Sequence, residues 1–155
     1  MNCDSVLVSG YLFSDSPLVL SSGCLLSNVQ VAFTINGNLT SNARIILVLH
    51  ALTGDQYVAS QNPITGRNGW WSEYVGSGKV IDTDKCCVIC TNILAGCMGT
   101  TGPTTAKTPE SDELWGGDFP VITIEDMVKV QREFLRNIGV DKLFAIVGGS
   151  MGGMQ

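Results

Sequence analysis

A serine flanked by glycines is the residue of this sequence best suited to covalent chemistry. Gly148-Gly149-Ser150-Met151-Gly152 matches the pattern G-x-S-x-G, after a predicted strand and before what should be a helix. In that context the pattern is typical of a nucleophilic serine on a sharp, strained turn. Side chains two residues before and after the serine would collide in such a turn, so glycine is needed there. The pattern predicts Ser150 as a nucleophile, and a plain glycine-rich turn is the alternative.

A nucleophilic serine also needs N–H groups that stabilise negative charge on the reacting carbonyl oxygen. One such N–H belongs to the residue after the serine, and a second comes from the loop after an earlier strand. The apolar run RIILVL at 44–49 predicts that strand, and the loop HALTG at 50–54 follows it. The sequence therefore predicts an oxyanion hole made by the N–H groups of Leu52 and Met151. Three other loop residues are expected to lie close to the substrate: Ala51, Thr53 and Gly54.

The base that would activate the serine is harder to place. His50 is the only histidine, but in this motif's template the order along the chain is serine, then Asp or Glu, then histidine. We therefore expect His50 to brace the loop by hydrogen bonding, and we expect the acid and base beyond residue 155. On this interpretation the sequence is a fragment that stops one turn into the helix after Ser150. Because a serine without a base is a weak nucleophile, the fragment alone should be inactive.

The six cysteines of the chain are weaker candidates for chemistry: Cys3, Cys24, Cys86, Cys87, Cys90 and Cys97. Cys87 and Cys90 form a CxxC, but the surrounding CCVIC is typical of a buried strand, whose alternation sends the two thiols to opposite faces. A disulfide framework is also not favoured, because the composition is that of a core-forming domain. No metal-ligand cluster and no cofactor are predicted.

The predicted elements form an α/β architecture. RIILVL, CCVIC and LFAIVG (143–148) are continuous apolar runs of the kind found in central strands covered on both faces. PLVLSSG and VQVAFTING alternate apolar and polar residues, which predicts an antiparallel hairpin leading into the sheet. A helix follows Thr123, with Asp126 completing a capping box and Gly139 closing the helix. The glycine- and threonine-rich stretch 92–120 is too long for an ordinary connection, so we expect a functional loop or a site wall.

Composition excludes several other classes. The 155 residues carry a net charge of -5 and contain no run of basic residues, so binding to nucleic acid is not expected. The longest apolar run is far shorter than the roughly 18 residues needed to span a bilayer. The start, MNCDSVLVSGYLF, lacks the basic region of a signal peptide. We therefore expect a cytoplasmic protein with no membrane association.

Several segments occur together in the order found in one enzyme family: LVLHALTGD, GWW, GSGKVIDTDK, VICTNILAGCMGTTGP, FPVITIEDMVKVQ and VGGSMGGMQ. From Pro17 to Gln155 the sequence resembles the homoserine O-acetyltransferases. The resemblance implies the N-terminal part of an α/β-hydrolase fold, with a mostly parallel sheet, an antiparallel hairpin and flanking helices. Residues 1–155 would then be one incomplete domain, ending just after the serine turn.

The resemblance also implies a reaction. Ser150 matches the family nucleophile, which takes an acetyl group from acetyl-CoA and passes it to the hydroxyl of L-homoserine in methionine biosynthesis. Leu52 and Met151 match the oxyanion positions, while CMGTTGP and GWW look like the family's site-wall loops. Trp70 and Trp71 could equally be core anchors of a short helix. Members of that family are commonly dimers through regions that this sequence does not include, which implies a homodimer for the full-length protein.

Other interpretations stay open from the sequence. The donor could be succinyl-CoA or the acceptor serine, and an esterase-like serine hydrolase would use the same acyl-enzyme. A non-enzymatic truncated product, prone to aggregate through an exposed edge at LFAIVG, is a third class.

Overall fold

The computed structural model describes residues 7–155, with side chains from Ser9 onward. Residues 1–6 lie outside the described residues. They include Cys3 and the start of MNCDSVLVSGYLF, the segment that lacks the features of a signal peptide. The described elements, in chain order, are strands β1 Leu7–Val8, β2 Leu18–Val19, β3 Leu25–Leu26, β4 Ala32–Asn36, β5 Ile45–Leu49, β6 Val75–Gly76, β7 Ile81–Asp82 and β8 Cys87–Thr91, a 3-10 helix at Gly116–Asp118, helix α1 Ile124–Asn137, strand β9 Ala145–Gly148 and helix α2 Met151–Met154.

The described chain divides into two compact units. The first contains Leu7, Phe33–Thr91 and Asp141–Met154, and the second contains Val8–Ala32, Asn92–Val140 and Gln155. That residues 1–155 make one incomplete domain stays a prediction.

A five-stranded mixed sheet dominates the first unit, with strand order β1-β4-β8-β5-β9. Strand β4 pairs antiparallel with β8, whereas β5 pairs parallel with both β8 and β9. The predicted strands at 44–49, 86–90 and 143–148 are all confirmed within one or two residues. Every residue of β8 is buried, as its continuous apolar sequence indicates.

The core on one face of this sheet is built mainly from valines. Val48, Val58, Val75, Val88 and Cys90 form a fully buried cluster, and Trp71 packs against it. Their β-branched side chains suit the pleated surface of a sheet and bury apolar area at roughly 25 cal/mol per Å². This packing fixes β5 and β8, the two strands that lead into the loop at 50–54 and the segment at 92–120.

The interpretation of LFAIVG as a strand covered on both faces is wrong. Ile146 is 60% exposed and Phe144 is 65% exposed. Ile146 and Gly148 lie on the same face of β9 and both are exposed, so the described residues leave that face uncovered. An apolar run thus identified a strand correctly, but it did not show whether both faces are covered.

The predicted antiparallel hairpin forms, but with different partners. Leu18–Val19 folds back on Leu25–Leu26 through a turn at Gly23, whose φ is 84°. The second predicted segment, VQVAFTING, instead supplies β4, which pairs antiparallel with β8. The start of VQVAFTING is paired elsewhere, because Leu12 and Val29 form an antiparallel bridge and the Ser9 N–H donates to Val31 O at 3.0 Å.

Helix α1 of the second unit follows its sequence signals closely. Thr123 caps it, and the predicted capping box with Asp126 is present. Burial raises the pKa of the Asp126 carboxyl, but hydrogen bonds from Thr123 and Ser21 outweigh burial and lower this pKa overall. The helix ends before Gly139, which has φ 77° and donates its N–H to Arg136 O. Local capping chemistry therefore determines both ends of this helix.

Candidate active site

The predicted serine lies on a strained turn between two elements. Strand β9 ends at Gly148, and α2 begins at Met151, so only Gly149 and Ser150 connect them. Ser150 has φ 55°, in the left-handed region that residues with a side chain rarely adopt. Its side chain is exposed and does not point into the packed interior. This is the backbone geometry that places a serine hydroxyl above the carboxyl edge of a sheet.

Two glycines make the turn sterically feasible. A Cβ atom at position 148 would lie 2.5 Å from the carbonyl carbon of Gly152, and one at position 152 would lie 2.6 Å from the carbonyl carbon of Leu49. Both atoms belong to main chain that cannot move aside cheaply, and real Cβ contacts essentially never come under 3.0 Å. Gly149 is different, because a Cβ there would meet nothing within 4 Å. The glycine requirement therefore applies to Gly148 and Gly152.

The sheet brings this turn next to the loop at 50–54. Strands β5 and β9 are parallel neighbours, with Leu49 opposite Gly148, so their carboxyl ends share one edge. The close approach of Gly152 to the carbonyls of Leu49 and His50 packs the start of α2 against the start of that loop. The two segments predicted to act together thus lie side by side within the first unit.

The loop itself is a tight turn. The carbonyl of Ala51 accepts hydrogen bonds from the Gly54 N–H at 2.8 Å and from Nδ1 of His50 at 2.7 Å. A Cβ at position 54 would lie 2.8 Å from the Cβ of His50, so glycine is also required here. Leu52, at the tip, is 73% exposed, and its N–H donates to no hydrogen bond within residues 7–155.

The structure thus places Leu52 and Met151 on two neighbouring segments. Met151 is the first residue of α2, immediately after Ser150. Ala51 and Gly54 form the turn, and Thr53 is exposed beside Leu52. The assignment of Leu52 and Met151 as oxyanion donors, and of the other three loop residues as neighbours of the substrate, stays a prediction.

His50 has the environment of a bracing residue. Its side chain is only 1% exposed. Burial lowers the pKa of the imidazole, and the Ala51 hydrogen bond and the charge of Asp55 oppose this only in part. A neutral imidazole donates Nδ1–H to the Ala51 carbonyl and fixes the first residue of the loop. A ring this buried is poorly suited to exchange protons with a substrate.

A second set of residues around the loop was missed by sequence reasoning. The carboxylate of Asp55 accepts hydrogen bonds from the Tyr57 N–H and from Nδ2 of Asn62, both at 2.8 Å. Its main-chain carbonyl accepts a hydrogen bond from Nε1 of Trp70 at 2.9 Å. No periodicity indicates such a network. The only signal in the sequence is an Asp directly after the loop, a position where Asp commonly stabilises turns.

The two tryptophans occupy different environments. Residues 70–74 form turns and not the short helix of one alternative, whereas contact of the pair with a ligand stays a prediction. Trp71 packs against the valine cluster of the core. Trp70 remains 37% exposed and uses its indole N–H on Asp55, as described above. Trp71 is therefore a core anchor, and Trp70 is tied to the residue that ends the loop.

The two cysteines of β8 have the properties of structural residues. Cys24, Cys86, Cys87, Cys90 and Cys97 are all free thiols. Burial raises the pKa of Cys87 to about 11 and raises that of Cys90 further. Because the thiolate is the reactive form, such thiols are poor nucleophiles. In the part of the chain with described coordinates, no group of three or more His, Cys, Asp or Glu residues could hold a metal ion.

The long segment 92–120 belongs to the second unit and is ordered by its own threonines. The Thr100 hydroxyl accepts a hydrogen bond from the Ala32 N–H and donates one to Asn92 O, both at 2.9 Å. The Thr101 hydroxyl accepts one from the Gln30 N–H at 2.8 Å. Its proposed role as a site wall stays a prediction. No helix within residues 7–155 has both the length and the apolar character needed to cross a membrane.

Comparison with known proteins identifies the family. A model described as alpha/beta hydrolase fold matches residues 44–155, which include both the loop and the serine turn. The chain belongs to the α/β-hydrolase family. The predicted fold class is thereby confirmed, including the mixed sheet with antiparallel strands that lead into it.

Within the α/β hydrolases, the similarity to one group of acyltransferases is confirmed. The chain is 51% identical over 144 residues to the homoserine O-acetyltransferase of Acidiphilium cryptum (strain JF-5), covering 92% of this chain and 38% of that protein. It also superposes on a crystal structure of homoserine O-acetyltransferase from Bacillus anthracis with a TM-score of 0.80, at 29% identity over 96% of this chain and 41% of that one.

An esterase is structurally just as similar. The crystal structure of esterase E22 superposes with a TM-score of 0.78, at 34% identity over 96% of this chain and 42% of that one. The chain therefore spans less than half the length of each of these relatives.

Proposed function

We propose that the protein containing this chain is an acyltransferase that moves an acetyl group from acetyl-CoA to the hydroxyl of L-homoserine. The observation that carries the proposal is Ser150 at φ 55°, exposed on a turn that packs against the loop at 50–54. The similarity to proteins named homoserine O-acetyltransferase supports the choice of donor and acceptor.

The proposed chemistry proceeds in two half-reactions. The Ser150 hydroxyl attacks the thioester carbonyl, its proton passes to a base, and the C–S bond breaks to release CoA and leave an acetyl-serine ester. The homoserine hydroxyl then attacks this ester, and Ser150 regains its proton as O-acetylhomoserine leaves. In both halves the carbonyl oxygen becomes negative, and the N–H groups of Leu52 and Met151 are proposed to stabilise it.

The general base is proposed to come from outside residues 1–155. His50 is the only histidine among them, and its Nδ1 is engaged by Ala51 within a buried environment. We further propose that the product feeds methionine biosynthesis, that the enzyme is cytoplasmic, and that it forms a homodimer. No cofactor beyond the acyl-CoA substrate is required by this chemistry.

Ester hydrolysis is the second candidate, favoured specifically by the similarity to esterase E22. Both reactions share the acyl-enzyme. Transfer prevails only where the site holds the acceptor hydroxyl in line and keeps water out.

Measuring CoA release by the full-length protein separates these candidates. The protein is incubated with acetyl-CoA or succinyl-CoA and with homoserine, serine or no acceptor. The proposal predicts sustained CoA release over many turnovers only with acetyl-CoA and homoserine together, with accumulation of O-acetylhomoserine, and at most one CoA per active site without an acceptor. Turnover of simple esters with no stimulation by homoserine would contradict the proposal and support the hydrolase.

A further inference from the structure

We infer that Asp55 is a positioning residue that fixes the 50–54 loop, and with it the Leu52 N–H, by tying the end of the loop to the segment 57–70. The inference rests on the proposed function for its link to rate. The geometry on which it stands is independent of that function.

The loop has few contacts of its own. Within 51–54, one main-chain hydrogen bond is described, which the Gly54 N–H donates to the Ala51 carbonyl and which closes the turn. Leu52 and Thr53 are exposed and pack against little. Because the tip makes so few contacts, its position is set by His50, the first residue of the loop, and by Asp55, the residue that follows it. His50 holds the first end through its buried ring, and Asp55 holds the second.

Asp55 is held through both its side chain and its main chain. One carboxylate oxygen accepts the Tyr57 N–H and the other accepts Nδ2 of Asn62, both at 2.8 Å. The carbonyl accepts Nε1 of Trp70 at 2.9 Å and the thiol of Cys90 at 3.7 Å. Tyr57, Asn62 and Cys90 are all buried, so these partners are themselves fixed in place.

The orientation of the Asn62 amide is determined by its other partners. Its Oδ1 accepts the N–H groups of Ile64 at 2.9 Å and Thr65 at 3.0 Å. The Nδ2 group must therefore face Asp55, and it needs an acceptor there. An Asn at position 55 could not satisfy both neighbours in either orientation, because one of its two ends would place N–H against N–H.

This arrangement permits an exchange test in the full-length protein. Asp55→Asn breaks the network, whereas the double variant D55N/N62D restores it with reversed polarity. In the double variant, the amide at 55 accepts from Tyr57 and donates to the carboxylate at 62, which still accepts from Ile64 and Thr65. Asp84→Asn is the matched control. It also replaces one carboxylate of the first unit by an amide, but the described side-chain partner of Asp84 is Ser77 and not a residue of the Asp55 network.

The first measurement is the pre-steady-state burst with p-nitrophenyl acetate. Its rate constant reports acylation of Ser150, and its amplitude reports the fraction of competent protein. A merely structural loss lowers the amplitude only. The inference predicts that D55N lowers the rate constant about 10- to 100-fold, as expected when a catalytic group is displaced by about 1 Å. The exchanged variant and Asp84→Asn should stay within about threefold of the wild type.

The second measurement is hydrogen exchange of the amides at 52–54, which needs no catalysis. D55N should accelerate exchange at Gly54 about tenfold or more relative to the wild type, with restoration in the exchanged variant. An absence of any burst in the wild type would contradict the proposed function. Unchanged exchange and burst rate in D55N, or an exchanged variant no better than D55N, would overturn the inference.

Discussion

The serine turn and the 50–54 loop lie side by side, yet they are held in place by different forces. At the turn, main chain lies so close to main chain that Gly148 and Gly152 have no room for a Cβ. At the loop, hydrogen bonds hold the chain at its two ends. The His50 ring donates one to the Ala51 carbonyl, and the Asp55 carboxylate accepts two. The turn is therefore fixed by steric exclusion, whereas the loop is fixed by polar contacts that could be removed one at a time.

This difference suggests different tolerance to substitution. At Gly148 and Gly152 there is no room for a small adjustment, because any side chain there displaces the strand or the helix. A loop fixed at its ends can shift by fractions of an ångström while the fold is retained. Changes at the turn should therefore damage folding first, and changes at the loop should damage rate first.

The largest effect is expected at Gly152. Replacing it by Ala places a Cβ 2.6 Å from the carbonyl carbon of Leu49 and 3.0 Å from the His50 oxygen. The free energy of unfolding should fall by about 3 kcal/mol or more. Urea unfolding of the full-length protein measures this. Gly149→Ala in the same turn meets nothing within 4 Å, and it should change stability by less than about 0.5 kcal/mol.

Leu52→Pro tests the loop by removing the proposed oxyanion donor. Because proline lacks an N–H, the acylation rate constant should fall on the order of 10²- to 10³-fold. Leu52→Ala keeps the N–H and alters a side chain that is mostly exposed. The loss in its acylation rate constant should therefore be at least about tenfold smaller than the loss in Leu52→Pro. Burst kinetics on both variants provide the comparison. Equal losses would show that the side chain matters and the N–H does not.

Gly54→Ala is expected to have an intermediate effect, because steric and polar control meet at this residue. The added Cβ would lie 2.8 Å from the His50 Cβ and 3.3 Å from the Ala51 oxygen, whereas a Cβ at position 152 would lie 2.6 Å from the Leu49 carbonyl carbon. Stability should fall by about 1–3 kcal/mol, less than for Gly152→Ala. The urea midpoints of the two variants test this order. A larger loss at Gly54 would contradict the steric distinction between turn and loop.

The smallest effect concerns the pH dependence of stability through His50. Because burial lowers the pKa of the folded imidazole below 6.5, the unfolded chain takes up the proton first as the pH falls. The stabilisation is therefore complete above about pH 6.5 and is lost below it, with a slope of at most about 1.4 kcal/mol per pH unit. The stability difference between the wild type and His50→Asn should shrink from pH 8 to pH 5. A constant difference would contradict a neutral, buried His50.

Features set by neighbours along the chain could be predicted from the sequence. The glycines of the serine turn lie two residues from Ser150, and the capping box of α1 joins Thr123 to Asp126. The apolar runs of β5 and β8 identified buried strands, because a short continuous apolar run between turn residues is typical of a buried strand.

Features set by distant contacts could not be predicted. Residues 18–19 pair with 25–26. This pairing could not be predicted, because a strand of two residues has too short a pattern of apolar residues to specify its partner. Ile146 is exposed because the described residues do not cover its face of β9, and the sequence of a strand does not encode what packs on each face. The Asp55 network joins residues 2, 7 and 15 positions apart through loops without periodicity. The sequence thus predicted the turn and located the loop, but it did not predict how the loop is held.

Peptide mapping of the acyl-enzyme tests whether Ser150 is the nucleophile. The full-length protein is mixed with acetyl-CoA in the absence of homoserine, quenched in acid, digested and examined by mass spectrometry. The account predicts one acetyl group, carried by Ser150, which disappears when homoserine is added before the quench. An acetyl group on another residue, or release of CoA with Ser150 unmodified throughout, would contradict it.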